Sequence, residues 1–150
     1  MPQSLAHLAV HLVFSTKNRE PFIDDGIQPA LHAYLVGILK GLDCVPIQTG
    51  GVLDHVHLLF GLSRTRAIAD VTRELKTNST NWLRLQSSRH NQFHWQSGYG
   101  VFSISASNIS SVKSYIANQR EHHRKMTFQD EYRSLLVKHD IVYDERYVWD

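Results

Sequence analysis

Asp54-His55-Val56-His57-Leu58-Leu59-Phe60 is a run in which polar rings and apolar side chains alternate before it turns wholly apolar. Side chains two apart on a strand project from one face, so His55 and His57 point together while Val56, Leu58 and Phe60 point the other way, toward a helix layer. Upstream, Val45 to Thr49 is a short strand candidate, and Pro46 near its start suits an edge position. Gly50-Gly51 supplies a turn, and Val52 to Phe60 is the second arm of a hairpin.

The flanking segments extend this hairpin into an ordered fold. Residues 6–15 place Leu8, Val10, Leu12 and Phe14 on one face and His7, Ala9, His11 and Val13 on the other, the alternation of a strand. After a polar, basic loop at 16–21, Asp24 or Asp25 can cap a helix whose Ile27, Leu31, Tyr34, Ile38 and Leu42 form one apolar stripe. Ile68, Val71, Leu75 and Trp82 recur at helical spacing among Arg73, Lys76 and Arg84, which makes a basic amphipathic helix. Tyr99 to Ser105 alternates as a fourth strand. Ser107 or Asn108 can cap a helix carrying Ile109, Val112, Ile116 and Gln119, and Thr127-x-x-Asp130 starts a last helix with Tyr132, Leu135 and Leu136. The tail from Ile141 to Asp150 is too short for another layer.

The order β-α-β-β-α-β followed by two helices predicts an α+β fold of ferredoxin-like, RRM-like type, a four-stranded antiparallel sheet with helices on one face plus C-terminal helices. One domain over residues 1–150 is expected. The first and third strands are then central neighbours, and the open sheet face carries residues 7–11 beside 55–57.

Composition narrows the function classes. Hydrophobic residues at 42% and charged residues at 20% are globular values, which exclude a disordered or low-complexity chain. The single cysteine, Cys44, allows neither an internal disulfide nor a Cys-x-x-Cys metal site, and it suits a reducing compartment. No stretch approaches the roughly 18 apolar residues of a membrane span, and residues 1–10 lack the pattern of a secretory signal, so a cytoplasmic protein without membrane partners is expected. The formal net charge is only +2. It conceals a division, because residues 55–120 hold eight Lys and Arg against two acids, and the remainder holds eight against twelve. Such asymmetry admits a polyanionic partner as well as a merely solvated basic face.

Two constellations can carry chemistry. His55 and His57 on one strand face can chelate a divalent ion, and the same pattern also suits two partly exposed histidines on a sheet surface. Tyr115 and Gln119, four apart on one helix face, can pair a nucleophile with a neutral oxygen ligand. A tyrosine hydroxyl, with a pKa of about 10, attacks only a polarised electrophile or with a route for its proton. An ion held by His55, His57 and Gln119 can polarise a scissile phosphate for that attack. Lys17 and Arg19 after the first strand, and Arg73 and Lys76 on the second helix, are candidate phosphate contacts for a polyanionic partner. His122 and His123 read as surface residues or residues near such a partner, and Trp82 and Trp95 as packing residues.

His55-Val56-His57 within Gly-Gly-Val-Leu-Asp-His-Val-His-Leu-Leu, with Tyr115-x-x-x-Gln119 on a late helix, resembles the single-tyrosine HUH transposases of the insertion-sequence two-hundred-like group. Further matching stretches are Val13-Phe14-Ser15-Thr16-Lys17-Asn18-Arg19, Trp95-Gln96-Ser97-Gly98-Tyr99-Gly100 and Asp144-Glu145-Arg146-Tyr147-Val148-Trp149. The resemblance implies a homodimeric, Mg²⁺- or Mn²⁺-dependent transposase that cuts and rejoins single-stranded DNA at hairpin-marked element ends. On that basis Tyr115 attacks to leave a 5′-phosphotyrosine, His55, His57 and Gln119 hold the ion, and the tyrosine helix can complete the partner's site. It also implies a prokaryotic, nucleoid-associated setting. Two alternatives stand beside it: a domesticated nuclease acting at dispersed repeats, and a non-catalytic module that binds single strands on its open sheet.

Overall fold

A computed structural model describes residues 2–150. Strand β1 (Ala9–Ser15) leads through a 3₁₀ turn at Lys17–Arg19 to helix α1 (Gln28–Gly41). Strands β2 (Val45–Val52) and β3 (His55–Gly61) form the hairpin, followed by α2 (Ile68–Arg84) and β4 (Gly100–Ile104). Helices α3 (Ile109–Ala117), α4 (Gln119–His122) and α5 (Phe128–Lys138) follow. The sheet order is β2-β3-β1-β4, with every pair antiparallel, so β1 and β3 are central as expected.

Strand alternation sorts the core into two layers. Leu12 and Phe14 from β1 and Val56, Leu58 and Phe60 from β3 face α1 and α2, where they meet Leu31, Leu35, Leu39, Val71, Leu75 and Leu83. Each of these large side chains is sealed from solvent, and each such burial contributes about 1.5–3 kcal/mol before entropy is counted. Cys44 is buried and unpaired. Pro46 lies in the edge strand β2, next to an irregularity in its pairing between Pro46 and Gln48.

The opposite sheet face is not open. Val13 and Phe102 pack under Phe128, Tyr132 and Leu136 of α5, and α3 lies against β2 and β3. The reason is visible in α5, which is capped by Thr127, whose side chain accepts the Asp130 N–H at 3.2 Å. Its stripe of Phe128, Tyr132, Leu135 and Leu136 needs an apolar surface, and the sheet supplies it. The tail adds Tyr143, Val148 and Trp149 to this cluster, and the Asp150 carbonyl accepts the Gly98 N–H at 2.7 Å.

Two local expectations are corrected. Gly50-Gly51 is not the hairpin turn; both residues pair within β2, and Leu53-Asp54 make the two-residue connection between Val52 and His55. A Cβ on Gly50 would lie 2.2 Å from the Ile116 carbonyl oxygen, so the glycine serves the close approach of α3. The tyrosine helix is also broken: Asn118, at φ −101° and ψ 27°, separates α3 from α4 and puts Tyr115 and Gln119 on different segments. Among the described residues no helix is long and apolar enough to cross a membrane.

Candidate active site

His55 and His57 project from β3 into the layer between the sheet and helices α3–α5, and both are 0% exposed. Each imidazole is oriented from behind. His55 Nδ1 donates to Asp54 Oδ1 at 2.7 Å, and His11 Nε2 lies 2.8 Å from His57 Nδ1. The register delivers His11 to this place, because β1 and β3 run side by side and His11 shares the face of His57. Both Nε2 atoms are thereby left facing one point. A hydrogen bond at one ring nitrogen fixes which nitrogen is presented at the other, the usual support of a metal-binding histidine.

Glu131 occupies that point. Its Oε1 lies 3.0 Å from His57 Nε2, 3.4 Å from His55 Nε2 and 3.1 Å from His123 Nε2. Its Oε2 accepts from the Tyr115 hydroxyl and, at 3.1 Å, from Gln119 Nε2. Gln119 Oε1 in turn accepts from His55 Nε2 and His123 Nε2, each at 3.1 Å. His122 lies over the Tyr115 ring, with centroids 4.5 Å apart.

These contacts divide the charges unequally. Burial pushes the Glu131 carboxyl upward, but hydrogen bonds from His123, His55 and His57 outweigh it and hold the group ionised, far below the ordinary carboxylate range. Burial also pushes His55 down, yet hydrogen bonds to Asp54 and Glu131 carry it up to about 9. For His57 burial prevails and the pKa falls to about 4. Tyr115 is raised far above an ordinary tyrosine by burial and by its hydrogen bond to Glu131, so it stands as a neutral hydroxyl.

His55, His57, Tyr115 and Gln119, all expected from the sequence, come together around one carboxylate. Glu131 itself was not expected, nor were the supporting roles of Asp54 and His11. His123 is corrected: it faces Gln119 and Glu131 with a side chain only 10% exposed. One signal for Glu131 does exist in the sequence. It falls three residues after Phe128 and four before Leu135, a charge inside an apolar stripe, where an unpaired acid is almost never found.

The candidate DNA contacts scatter. Arg19 lines a cleft of about 850 Å³ that opens beside the site, where Asp54 and His123 border it with Arg120, Arg124 and Lys125. Lys17 is exposed at the end of β1. Arg73 pairs with Asp70 on α2, across the sheet from the histidines. Lys76 is committed elsewhere, since its ammonium donates to the carbonyls of Gln96, Ser97 and Gly98 at 2.7–3.1 Å. Trp82 stacks on Tyr34, and Trp95 donates to Ser79, so both act in packing.

The donors suit a divalent cation. One ligand atom each from His55, His57 and Glu131 lie within 4.8 Å of one another, and the imidazoles are already held by Asp54 and His11. Two nitrogens and a carboxylate oxygen match a first-row or similar hard divalent ion.

A comparison with curated proteins finds no match. Among solved structures the chain resembles a candidate transposase from Deinococcus radiodurans R1, with a TM-score of 0.61 and 24% identity over 79% of this chain and 98% of that one. It also resembles a REP-associated tyrosine transposase bound to a REP hairpin, with a TM-score of 0.60 and 14% identity over 82% of this chain and 74% of that one. Both likenesses establish a shared fold. The profile of the family described as "Transposase IS200 like" matches residues 4–119, which include the histidine pair, Tyr115 and Gln119. The chain therefore belongs to the IS200-like transposase family.

Proposed function

We propose that the protein cleaves and rejoins single-stranded DNA at hairpin-marked ends through a covalent 5′-phosphotyrosine, with Tyr115 as nucleophile. His55, His57 and Gln119 belong to the site of a Mg²⁺ or Mn²⁺ ion. The observation that carries this reading is the convergence of the Tyr115 hydroxyl and both histidine Nε2 atoms on the one Glu131 carboxylate, in a member of a transposase family. The bound ion would polarise the scissile phosphate and offset its developing charge. Tyr115 forms an oxygen–phosphorus bond as the bond from phosphorus to the 3′ oxygen breaks; the electron pair stays with that oxygen, and the tyrosine's proton is balanced by one gained there. Attack by the 3′-OH reverses the step. Asp54 and His11 keep the imidazoles aimed throughout.

The cleft bordered by Arg19, Arg120, Arg124 and Lys125 suits a single strand approaching this centre. The hairpin held by the REP-associated neighbour supports hairpin DNA as the partner. A binding module that lays its strand across the sheet has no support, because α3 and α5 cover that face. Incubating the protein with a labelled pool of single-stranded hairpins and Mn²⁺ is expected to give a denaturant-resistant protein–DNA adduct. Tyr115→Phe is expected to abolish it; an adduct surviving in that variant removes the nucleophile assignment.

A further inference from the structure

The two oxygens of Glu131 serve different halves of the site. Oε1 faces His55 and His57, and Oε2 faces Tyr115. We propose that Glu131 is a ligand of the divalent ion through Oε1 and, through Oε2, the positioning residue that holds the Tyr115 hydroxyl, so that one side chain sets the ion and the nucleophile relative to each other. This inference rests on the metal-dependent reading above and adds to it a residue outside the matched segment 4–119.

Geometry favours Glu131 over Gln119 as the oxygen that reaches both histidines. Gln119 Oε1 contacts His55 Nε2 but shares no hydrogen bond with His57, and its amide nitrogen points at Glu131. Glu131 Oε1 lies within 3.4 Å of both Nε2 atoms. A carboxylate is also the better match for Mg²⁺ or Mn²⁺, which prefer charged oxygen ligands. Gln119 then steadies the carboxylate from the side, donating to Oε2 while its own oxygen accepts from His55 and His123. The break at Asn118 is what permits this division, since it turns Gln119 out of the register of α3 while Tyr115 remains on it.

The hydroxyl's hydrogen, directed at Oε2, leaves the lone pairs of the tyrosine oxygen unobstructed. A ligand that also holds the nucleophile fixes the distance between nucleophile and electrophile, and a displacement of about 1 Å in such a pair can cost on the order of a hundredfold in rate. The backbone supports this constraint, because Glu131 sits in the first turn of α5 with its N–H bonded to the Thr127 carbonyl at 3.0 Å.

The test compares full-length wild type, Glu131→Gln and Tyr115→Phe. Mn²⁺ binding is followed by the paramagnetic resonance of the free ion, and single-turnover cleavage by the labelled hairpin pool. Glu131→Gln is expected to weaken Mn²⁺ binding by about tenfold or more. At saturating Mn²⁺ its cleavage falls by about a hundredfold, while hairpin binding stays within about threefold of wild type; Tyr115→Phe binds Mn²⁺ as wild type does. Wild-type-like Mn²⁺ affinity in Glu131→Gln overturns the inference. Should that variant not fold, Mn²⁺-loaded wild type carrying carboxyl-¹³C glutamate is expected to show a directly coordinated ¹³C coupling, and its absence also overturns it. A wild type that neither binds Mn²⁺ nor forms an adduct sinks the parent reading, whereas a competent wild type with an indifferent Glu131→Gln sinks this inference alone.

Discussion

His32 on α1 has a buried Nε2 with no hydrogen-bond partner, and burial lowers its pKa to about 4. In the unfolded chain the value returns to about 6.5. Between these values the unfolded state takes up a proton that the folded state refuses. The stability associated with neutral His32 is therefore intact above pH 6.5 and declines as the pH falls toward 4, with a slope of at most about 1.4 kcal/mol per pH unit. Urea melts at pH 7, 5.5 and 4.5 should show a shallower decline for His32→Gln than for wild type; parallel declines would count against a buried neutral imidazole. The residues of the site were unequally legible at this scale. His55 and His57 could be read because a strand's period of two is visible in three letters. Glu131 is hidden because Thr127-x-x-Asp130 accounts for the neighbouring acid as a cap, and Tyr132 beside it carries the visible apolar stripe. His123 was hidden by its company, since a polar, basic run from Arg120 to Lys125 looks like surface.

Elements carry a different lesson. Strands β1, β3 and β4 and helices α1 and α2 follow from hydrophobic period, and α2 spans the stretch from Ile68 to Arg84 that carries its apolar and basic residues. What periodicity cannot report is how closely two elements approach. Gly50-Gly51 resembles a turn because glycines end strands, but here Gly50 lies in β2 under α3. Gly50→Ala should lose about 1–3 kcal/mol through overpacking against Ile116 and should impair cleavage, because α3 also carries Tyr115. Gly37→Ala is the control: it lies in α1 with nothing within 4 Å of an added Cβ. It should gain about 0.5–1 kcal/mol from helix propensity. Thermal melts of the two variants decide the point, and equal effects would refute the close-approach argument. The covered sheet face has the same origin, since α5's stripe announces that it buries something without saying which surface.

For the whole molecule, the central question is whether one chain holds a complete site. Tyr115 shares a carboxylate with its own histidines, which supports assembly within a single protomer rather than exchange across a dimer. Mixing Tyr115→Phe with His57→Ala should then restore no adduct formation on hairpin DNA. Recovered adduct would show that the tyrosine is donated in trans. The charge division of the sequence does not mark the cleft beside the site: of Arg19, Arg120, Arg124 and Lys125 along it only Arg120 belongs to the stretch 55–120, and Asp25, Asp54 and Asp130 line it too.

The contacts that build the site span much of the chain: His11 to His57, His55 to Gln119 and His57 to Glu131, separated by 46, 64 and 74 residues. Synthesis proceeds from the N-terminus, and segments fold as they emerge. A growing chain with β1 to β4 already paired still lacks the carboxylate at its centre. Only when α5 has left the ribosome can the site close, so a truncated or stalled translation product lacks the carboxylate that joins the histidines to Tyr115.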